Sequence, residues 1–117
     1  HIIKTEDGYY LKAFRIPGKL GEELVWGEKQ PVQMVHGLLD SGATWIFNHH
    51  SKSLSFELVD RGYDVWLLSN RGTIFSNTHE RYTTDDDEFW DFSFHEMGVY
   101  DVPASVAYIL EETGFSQ

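Results

Sequence analysis

The run His36-Gly37-Leu38-Leu39 follows a short β-prone stretch, Val32-Gln33-Met34-Val35, and holds the most chemical promise in the chain. Acyl transfer needs donors aimed at the oxygen that becomes negative, and a backbone N–H just past a strand end supplies one without a side chain. Gly37 permits a path that a Cβ would obstruct, directing the Leu38 N–H into a cleft beyond the strand. By itself the pattern fits an ordinary turn as well. No nucleophile accompanies it: a serine of this kind sits in G-x-S-x-G on a strand-to-helix turn, and that spacing is absent from the 117 residues. Ser41-Gly42 and Ser69-Asn70-Arg71-Gly72 do not replace it, and the lack of cysteine removes thiol catalysis, disulfides and thiolate metal sites.

The other candidates read more simply as structure. Six histidines include the adjacent His49-His50 and the scattered His36, His79 and His95, but none forms an H-x-x-x-H pair or H-E-x-x-H, so surface or structural roles are expected and no metal site. The acidic stretch Thr83-Thr84-Asp85-Asp86-Asp87-Glu88 reads as a solvated helix cap, since a hard-cation loop needs a defined ligand pattern with a glycine turn. Asp101 reads as a local cap and Asp64 as a polar break in a strand. Arg71 either braces neighbouring loops through its five fixed donors or lies exposed at a turn, and the sequence leaves both open. Trp66, Phe89 and Trp90 are expected in the core, with lipid contact the lesser option.

These residues need elements to position them. Thr5-Glu6-Asp7-Gly8 reads as a turn feeding a strand over 9–17, closed by Pro17-Gly18. Residues 18–30 are polar, with Leu24-Val25-Trp26 the one short strand candidate. After the strand at 32–35, residues 51–61 carry helix features: serine caps, Leu54 and Leu58 four apart, and Gly62 as stop. Residues 63–68 are mostly apolar, as a strand covered on both faces should be. Strand, loop, helix, strand implies a parallel pair joined by a crossover, with ligands at the carboxyl ends of the strands; the loops at 36–45 and 69–79 qualify. From Ser93 on, Pro103, Val106, Ile109 and Leu110 predict an amphipathic helix with Pro103 in a first turn and Gly114 as its end.

Composition bounds the function classes. With 41% hydrophobic and 15% aromatic residues the chain is globular rather than disordered. Nine basic against nineteen acidic side chains give a net charge of -10, which disfavours nucleic acid and anionic membrane surfaces. No apolar run approaches the roughly 18 residues of a membrane-spanning helix. Asn48, Asn70 and Asn77 all lack Ser or Thr two positions on, so no N-glycosylation acceptor occurs.

Taken in order, Thr5-Glu6-Asp7-Gly8-Tyr9 with Arg15-Ile16-Pro17, His36-Gly37-Leu38-Leu39-Asp40-Ser41 with Trp45, Gly62-Tyr63-Asp64-Val65-Trp66-Leu67 with Arg71-Gly72, Ser76 and His79, and Asp87-Glu88-Phe89-Trp90-Asp91-Phe92-Ser93-Phe94 with Glu96-Met97, Tyr100-Asp101, Pro103-Ala104 and Thr113-Gly114 resemble the acid lipase family over nearly the whole chain. That family includes gastric and lysosomal acid lipases and steryl ester hydrolases. The resemblance implies an α/β fold, the N-terminal portion of an α/β-hydrolase with a mostly parallel sheet, flanking helices and N-terminal antiparallel strands. It implies an oxyanion-hole role for the Leu38 main-chain N–H, flanked by His36 and Gly37, with no cofactor and no metal. The family's nucleophilic serine lies in a G-H-S-x-G elbow on the strand after the helix ending near Thr113-Gly114, and its Asp and His lie further on. Residues 1–117 are therefore expected to be a partial domain truncated before the elbow, inactive alone. Two departures stand beside the site: Leu68-Ser69-Asn70-Arg71-Gly72 where the family usually reads Gly-Asn-Ser/Thr-Arg-Gly, and His95 where an acidic residue is common.

The implied whole protein is a serine lipase that cleaves neutral lipid esters, triacylglycerol or steryl ester, at a lipid–water interface in a secreted or lysosomal, lumenal setting. The alternative is a catalytically inactive lipase-like binding or scaffold protein, or a truncated product. A nucleotide-binding doubly wound domain ranks last, because Gly37-Leu38-Leu39-Asp40-Ser41-Gly42 matches no phosphate loop. A parallel sheet lacking its central strands is expected to be marginally stable and to bind a hydrophobic dye.

Overall fold

The computed structural model describes residues 1–25 and 27–116. Strand β1 (Ile2–Lys4) turns through Thr5 to Gly8, where a φ of +101° suits glycine, into β2 (Tyr9–Ile16). The Thr5 hydroxyl accepts the Tyr9 N–H at 2.9 Å and locks that turn. Residues alternate along β2, with Tyr9, Leu11 and Ala13 buried on one face. Strand β3 (Pro31–Val35) leads through short 3-10 turns at Gly42–Ile46 and His50–Lys52 to α1 (Leu54–Asp60) and β4 (Asp64–Ser69). A two-residue strand, β5 (Thr78–His79), adds to the start of β2.

The sheet order is β1-β2-β4-β3, with β5 on β2. The expected parallel pair is β3–β4, with Val35 beside Leu68. The expectation of a mostly parallel sheet needs correction: among the described residues this is the one parallel pairing, and β2 runs antiparallel to β1, β4 and β5. Among the described residues β3 and β4 are the successive strands joined through a helix, α1, and it is they that lie side by side in one direction. The far edge of β3 has no strand beside it among the described residues.

Every residue of β4 is buried, because helices cover both of its faces. Val65 and Leu67 pack with Met34 and with Val59 of α1; Trp66 and Leu68 pack with Ile3, Leu11, Ala13, Phe89 and Ile109. Asp64 is no mere break: Arg15 grips it bidentately, its Nη2 2.7 Å from Oδ2, and the guanidinium lies 4.7 Å over Trp66.

Helix α1 starts later than its sequence features predict. The Ser53 hydroxyl, expected to cap, instead donates to the Trp45 carbonyl, and the chain at 50–52 makes a separate tight turn. Gly62 ends the helix as predicted: at φ +92° its N–H reaches Val59 O and the Tyr63 N–H reaches Leu58 O, the Schellman pattern. Leu24 and Val25, expected in a strand with Trp26, form none and are exposed; Trp26 lies outside the described residues.

The second helical segment begins at α2 (Phe94–Glu96), passes through a π turn at Met97–Asp101 and continues as α3 (Val102–Thr113), which packs against β1 and β3. A capping box opens it: Ser93 Oγ accepts the His95 N–H, and Glu96 accepts from the Ser93 N–H at 2.6 Å. The wide turn puts the Val102 N–H on Met97 O just before Pro103, where the regular ladder must break because proline has no N–H to give Val99. Gly114, at φ +75°, ends the helix as expected. Among the described residues no helix is long and apolar enough to cross a membrane.

Two measurements check these local devices. The Ser93 hydroxyl and N–H hold the Glu96 carboxyl at about 2. A depressed folded pKa adds stability above the ordinary glutamate range, lost as pH falls toward 2. Glu96→Gln should therefore flatten the acid limb of stability against pH between about 4.5 and 2, relative to wild type; equal slopes in urea titrations would refute the cap. A Cβ at Gly62 meets nothing within 4 Å, so Gly62→Ala should cost about 1 kcal/mol from the left-handed backbone alone.

Candidate active-site cleft

Because β3 and β4 run side by side in one direction, their carboxyl ends release two loops at the same edge of the sheet. These loops, residues 36–41 and 70–74, line a cleft of about 770 Å³ together with Trp90, Phe92, Phe94 and Met97 from the segment after the acidic stretch. The two loops expected to carry ligand chemistry thus meet.

His36 ties them together. Its Nε2 lies 3.0 Å from the Asn70 N–H and its Nδ1 2.8 Å from Gly37 O. A carbonyl can only accept, so this network assigns the proton to Nδ1 and leaves Nε2 to accept from Asn70. Gly37 is not the enforced glycine the sequence suggests, since a Cβ there would meet nothing within 4 Å; the left-handed turn falls on Leu39, at φ +62°, rare for a branched side chain, which stands 99% exposed beside Leu38 at 79%. Asp40 caps the return by accepting the Ser41 N–H at 2.8 Å, a bond that holds its carboxyl below the usual range. The Gly42 N–H donates to Ser69 Oγ at 3.0 Å, and a Cβ at Gly42 would stand 3.0 Å from Leu67 O, so glycine permits the close approach. The Leu38 N–H, the predicted oxyanion donor, has no acceptor among the described residues.

Arg71 resolves its two readings in favour of bracing. Its side chain is 1% exposed and binds two carboxylates: Nε and Nη2 lie 2.8 and 2.7 Å from Asp101 Oδ1, and Nη1 and Nη2 lie 2.5 and 2.9 Å from Asp7. Its own N–H donates to Asp101 Oδ2 at 2.9 Å, and the guanidinium stacks 4.1 Å over Tyr9. Burial pushes Asp7 up, but the hydrogen bonds from Arg71 and Thr5 outweigh it and hold the carboxyl below its ordinary value. Burial dominates at Asp101 and pushes it up against the pull of Arg71.

Asp101 is therefore not the cap that its place before Pro103 predicts. It sits in helical backbone within a continuous segment, fully buried, and its carboxylate faces Arg71 rather than a helix end. Asp7 has no role legible in the sequence beyond its turn; the signal available was a carboxylate in Thr5-Glu6-Asp7-Gly8, but its partner is 64 residues away. Trp90 also departs from the core reading. Phe89 and Trp66 are fully buried, whereas Trp90 is 48% exposed and lines the cleft, because the 3-10 turn Asp87–Trp90 directs consecutive residues to different sides. The acidic stretch is exposed as expected, yet it feeds that short turn and not an α-helix; Asp86 accepts from the Thr83 N–H and hydroxyl.

The histidines do not gather. His79 Nε2 lies 3.0 Å from Asp7 O, its ring stacks on Tyr82, and His49 and His50 are exposed on another loop. Among the described residues no three His, Asp or Glu side chains are grouped to hold a metal.

Arg71→Met should cost about 3–5 kcal/mol in urea denaturation, because it strands a buried carboxylate. Adding Asp101→Asn should recover part of that loss; an Arg71→Met protein as stable as wild type would remove the bracing role. Leu39→Gly should gain about 1 kcal/mol by relieving the left-handed backbone, with thermal melts as the check.

A family model described as a partial alpha/beta-hydrolase lipase region matches residues 1–49. The chain is 46% identical to gastric triacylglycerol lipase of Rattus norvegicus over 113 residues, covering 96% of this chain and 28% of that one. It is 42% identical to lysosomal acid lipase/cholesteryl ester hydrolase of Homo sapiens over 117 residues, covering 100% and 29%. Lipase member M of Homo sapiens is 42% identical over 112 residues, covering 96% and 26%. The chain thus spans less than a third of the length of these relatives. With 42–46% identity over 96–100% of its length, the chain belongs to the acid lipase family.

Proposed function

We propose that this chain forms the oxyanion-hole side of a lipid ester hydrolase: a partial α/β-hydrolase domain over residues 1–117 that lacks the nucleophile and is inactive alone. The observation that carries the reading is the Leu38 N–H, without an acceptor among the described residues, on a loop fixed to its neighbour by His36. An N–H held in place costs no reorganisation when a carbonyl oxygen gains charge, and one such donor is worth about 10²–10³ in rate. The names of the relatives support triacylglycerol or cholesteryl esters as the substrate class.

The topology supports the location of the missing serine. Helix α3 packs across β1 and β3, so a strand following Gly114 by a right-handed crossover would return parallel to β3 along its free edge. A serine at the carboxyl end of that strand arrives beside Leu38. It would attack the ester carbonyl, a histidine taking its proton and an aspartate orienting that histidine, at a lipid–water interface and in a secreted or lumenal setting. The second reading is a lipase-like binding protein without a nucleophile.

Reading the coding sequence past Gln117 separates the two. A Gly-x-Ser-x-Gly within about a dozen codons is expected, since the elbow follows one crossover strand; a stop codon or a replaced serine would select the binding protein. On the 117-residue chain a fluorophosphonate probe should label no serine. In the protein that carries the elbow, Leu38→Pro, which deletes the N–H, should lower kcat by about a hundredfold.

A further inference from the structure

We infer that Trp90 and Phe94 form the acyl-chain wall of the cleft and select uncharged esters of longer chains over short ones and over the carboxylate product. The inference rests on the ester-site reading of the Leu38 loop and adds the residues that discriminate. Both rings are unusually open for their size, Phe94 at 81% and Trp90 at 48%, and both line the cleft with Ile74, itself 78% exposed. Contiguous apolar exposure of this kind marks a binding surface.

Trp90 is exposed but not loose. Its Nε1 donates to Thr84 O at 2.8 Å and its ring lies 4.9 Å from that of the buried Phe89. The wall also leans on the loop after β4: a Cβ at Gly72 would stand 2.7 Å from Phe92 Cζ and 3.2 Å from Trp90 Cζ3. A pinned aromatic face loses little conformational entropy when a hydrocarbon chain settles on it. The Leu38 loop with its donor lines the same cleft, so a main-chain N–H and an apolar surface share one site, as an acyl ester requires.

Charge narrows the ligand further. The cation in the lining, Arg71, is buried and paired with Asp7 and Asp101, whereas Asp40 is exposed on the lining loop, and Asp85, Asp87, Glu88 and Asp91 flank Trp90 along the chain and are exposed. A fatty-acid anion is repelled by Asp40 and by the acidic surroundings of the wall, whereas its neutral ester is not.

Equilibrium dialysis of the protein at pH 7 with methyl decanoate, methyl butyrate and decanoate tests this. Methyl decanoate should bind more tightly than either of the others by at least about tenfold, roughly 1.4 kcal/mol. Trp90→Ala should lose that advantage, while Trp90→Phe retains most of it. Phe94→Asp guards against misfolding, because the side chain is exposed and a carboxylate suits the first helical turn; it too should lose the advantage with the circular dichroism unchanged. If methyl decanoate binds Phe94→Asp and Trp90→Ala as tightly as it binds the wild type, the wall is overturned while the ester site stands. If neither ester binds the wild type, the ester reading of the cleft fails, and this inference with it.

Discussion

The guanidinium of Arg71 joins three parts of the chain that lie far apart in sequence. It draws Asp7 from the β1–β2 turn and Asp101 from the π turn of the helical segment to the end of the central strand, and it lies flat on Tyr9. Two carboxylates around one fixed cation leave a formal negative charge in a nearly dry place, so the arrangement holds only because almost every donor is directed. The loop that follows Arg71 forms one wall of the cleft, the aromatic segment leans on Gly72, and His36 reaches across to Asn70. Each of these contacts presupposes that residues 70–72 are held where Arg71 holds them.

This explains why the cleft is built from backbone as much as from side chains. The loop after β3 offers an N–H, the loop after β4 offers an N–H to His36, and Gly42 lets the chain return within contact of β4. Main-chain groups are only as well placed as the elements that carry them. Here those elements are β3 and β4, the latter buried on both faces between α1 on one side and α3 with Phe89 on the other.

Local features were legible in the sequence where a single residue type carried the physics. Gly62 and Gly114 end helices because their backbones are left-handed, and the mostly apolar run at 63–68 becomes the fully covered strand. The parallel pair followed from the alternation of elements, and the meeting of the loops after β3 and β4 in one cleft from the rule about strand ends. What stayed hidden depends on distance along the chain. Asp101 carries the marks of a cap because proline follows two residues on, yet its role is set by Arg71, thirty residues earlier. The Ser53 hydroxyl likewise reaches the Trp45 carbonyl rather than a backbone N–H of its own helix. The Ser93 to Glu96 capping box was present as a local pattern and marks the helix start more sharply than the apolar spacing does. Phe89 and Trp90 differ in fate through a turn geometry that composition does not encode.

The open edge of β3 turns site geometry into a matter of counting. Its backbone groups would bind an incoming strand in discrete steps: a slip of one residue moves every side chain by about 3.3 Å and turns it to the opposite face of the sheet. Under the proposed function, a serine delivered on such a strand would meet the Leu38 N–H in one register and be removed from it in the next, with no intermediate positions to tune. Assembly of a complete site is then an indexing problem, decided by the strand's apolar alternation before any chemistry begins.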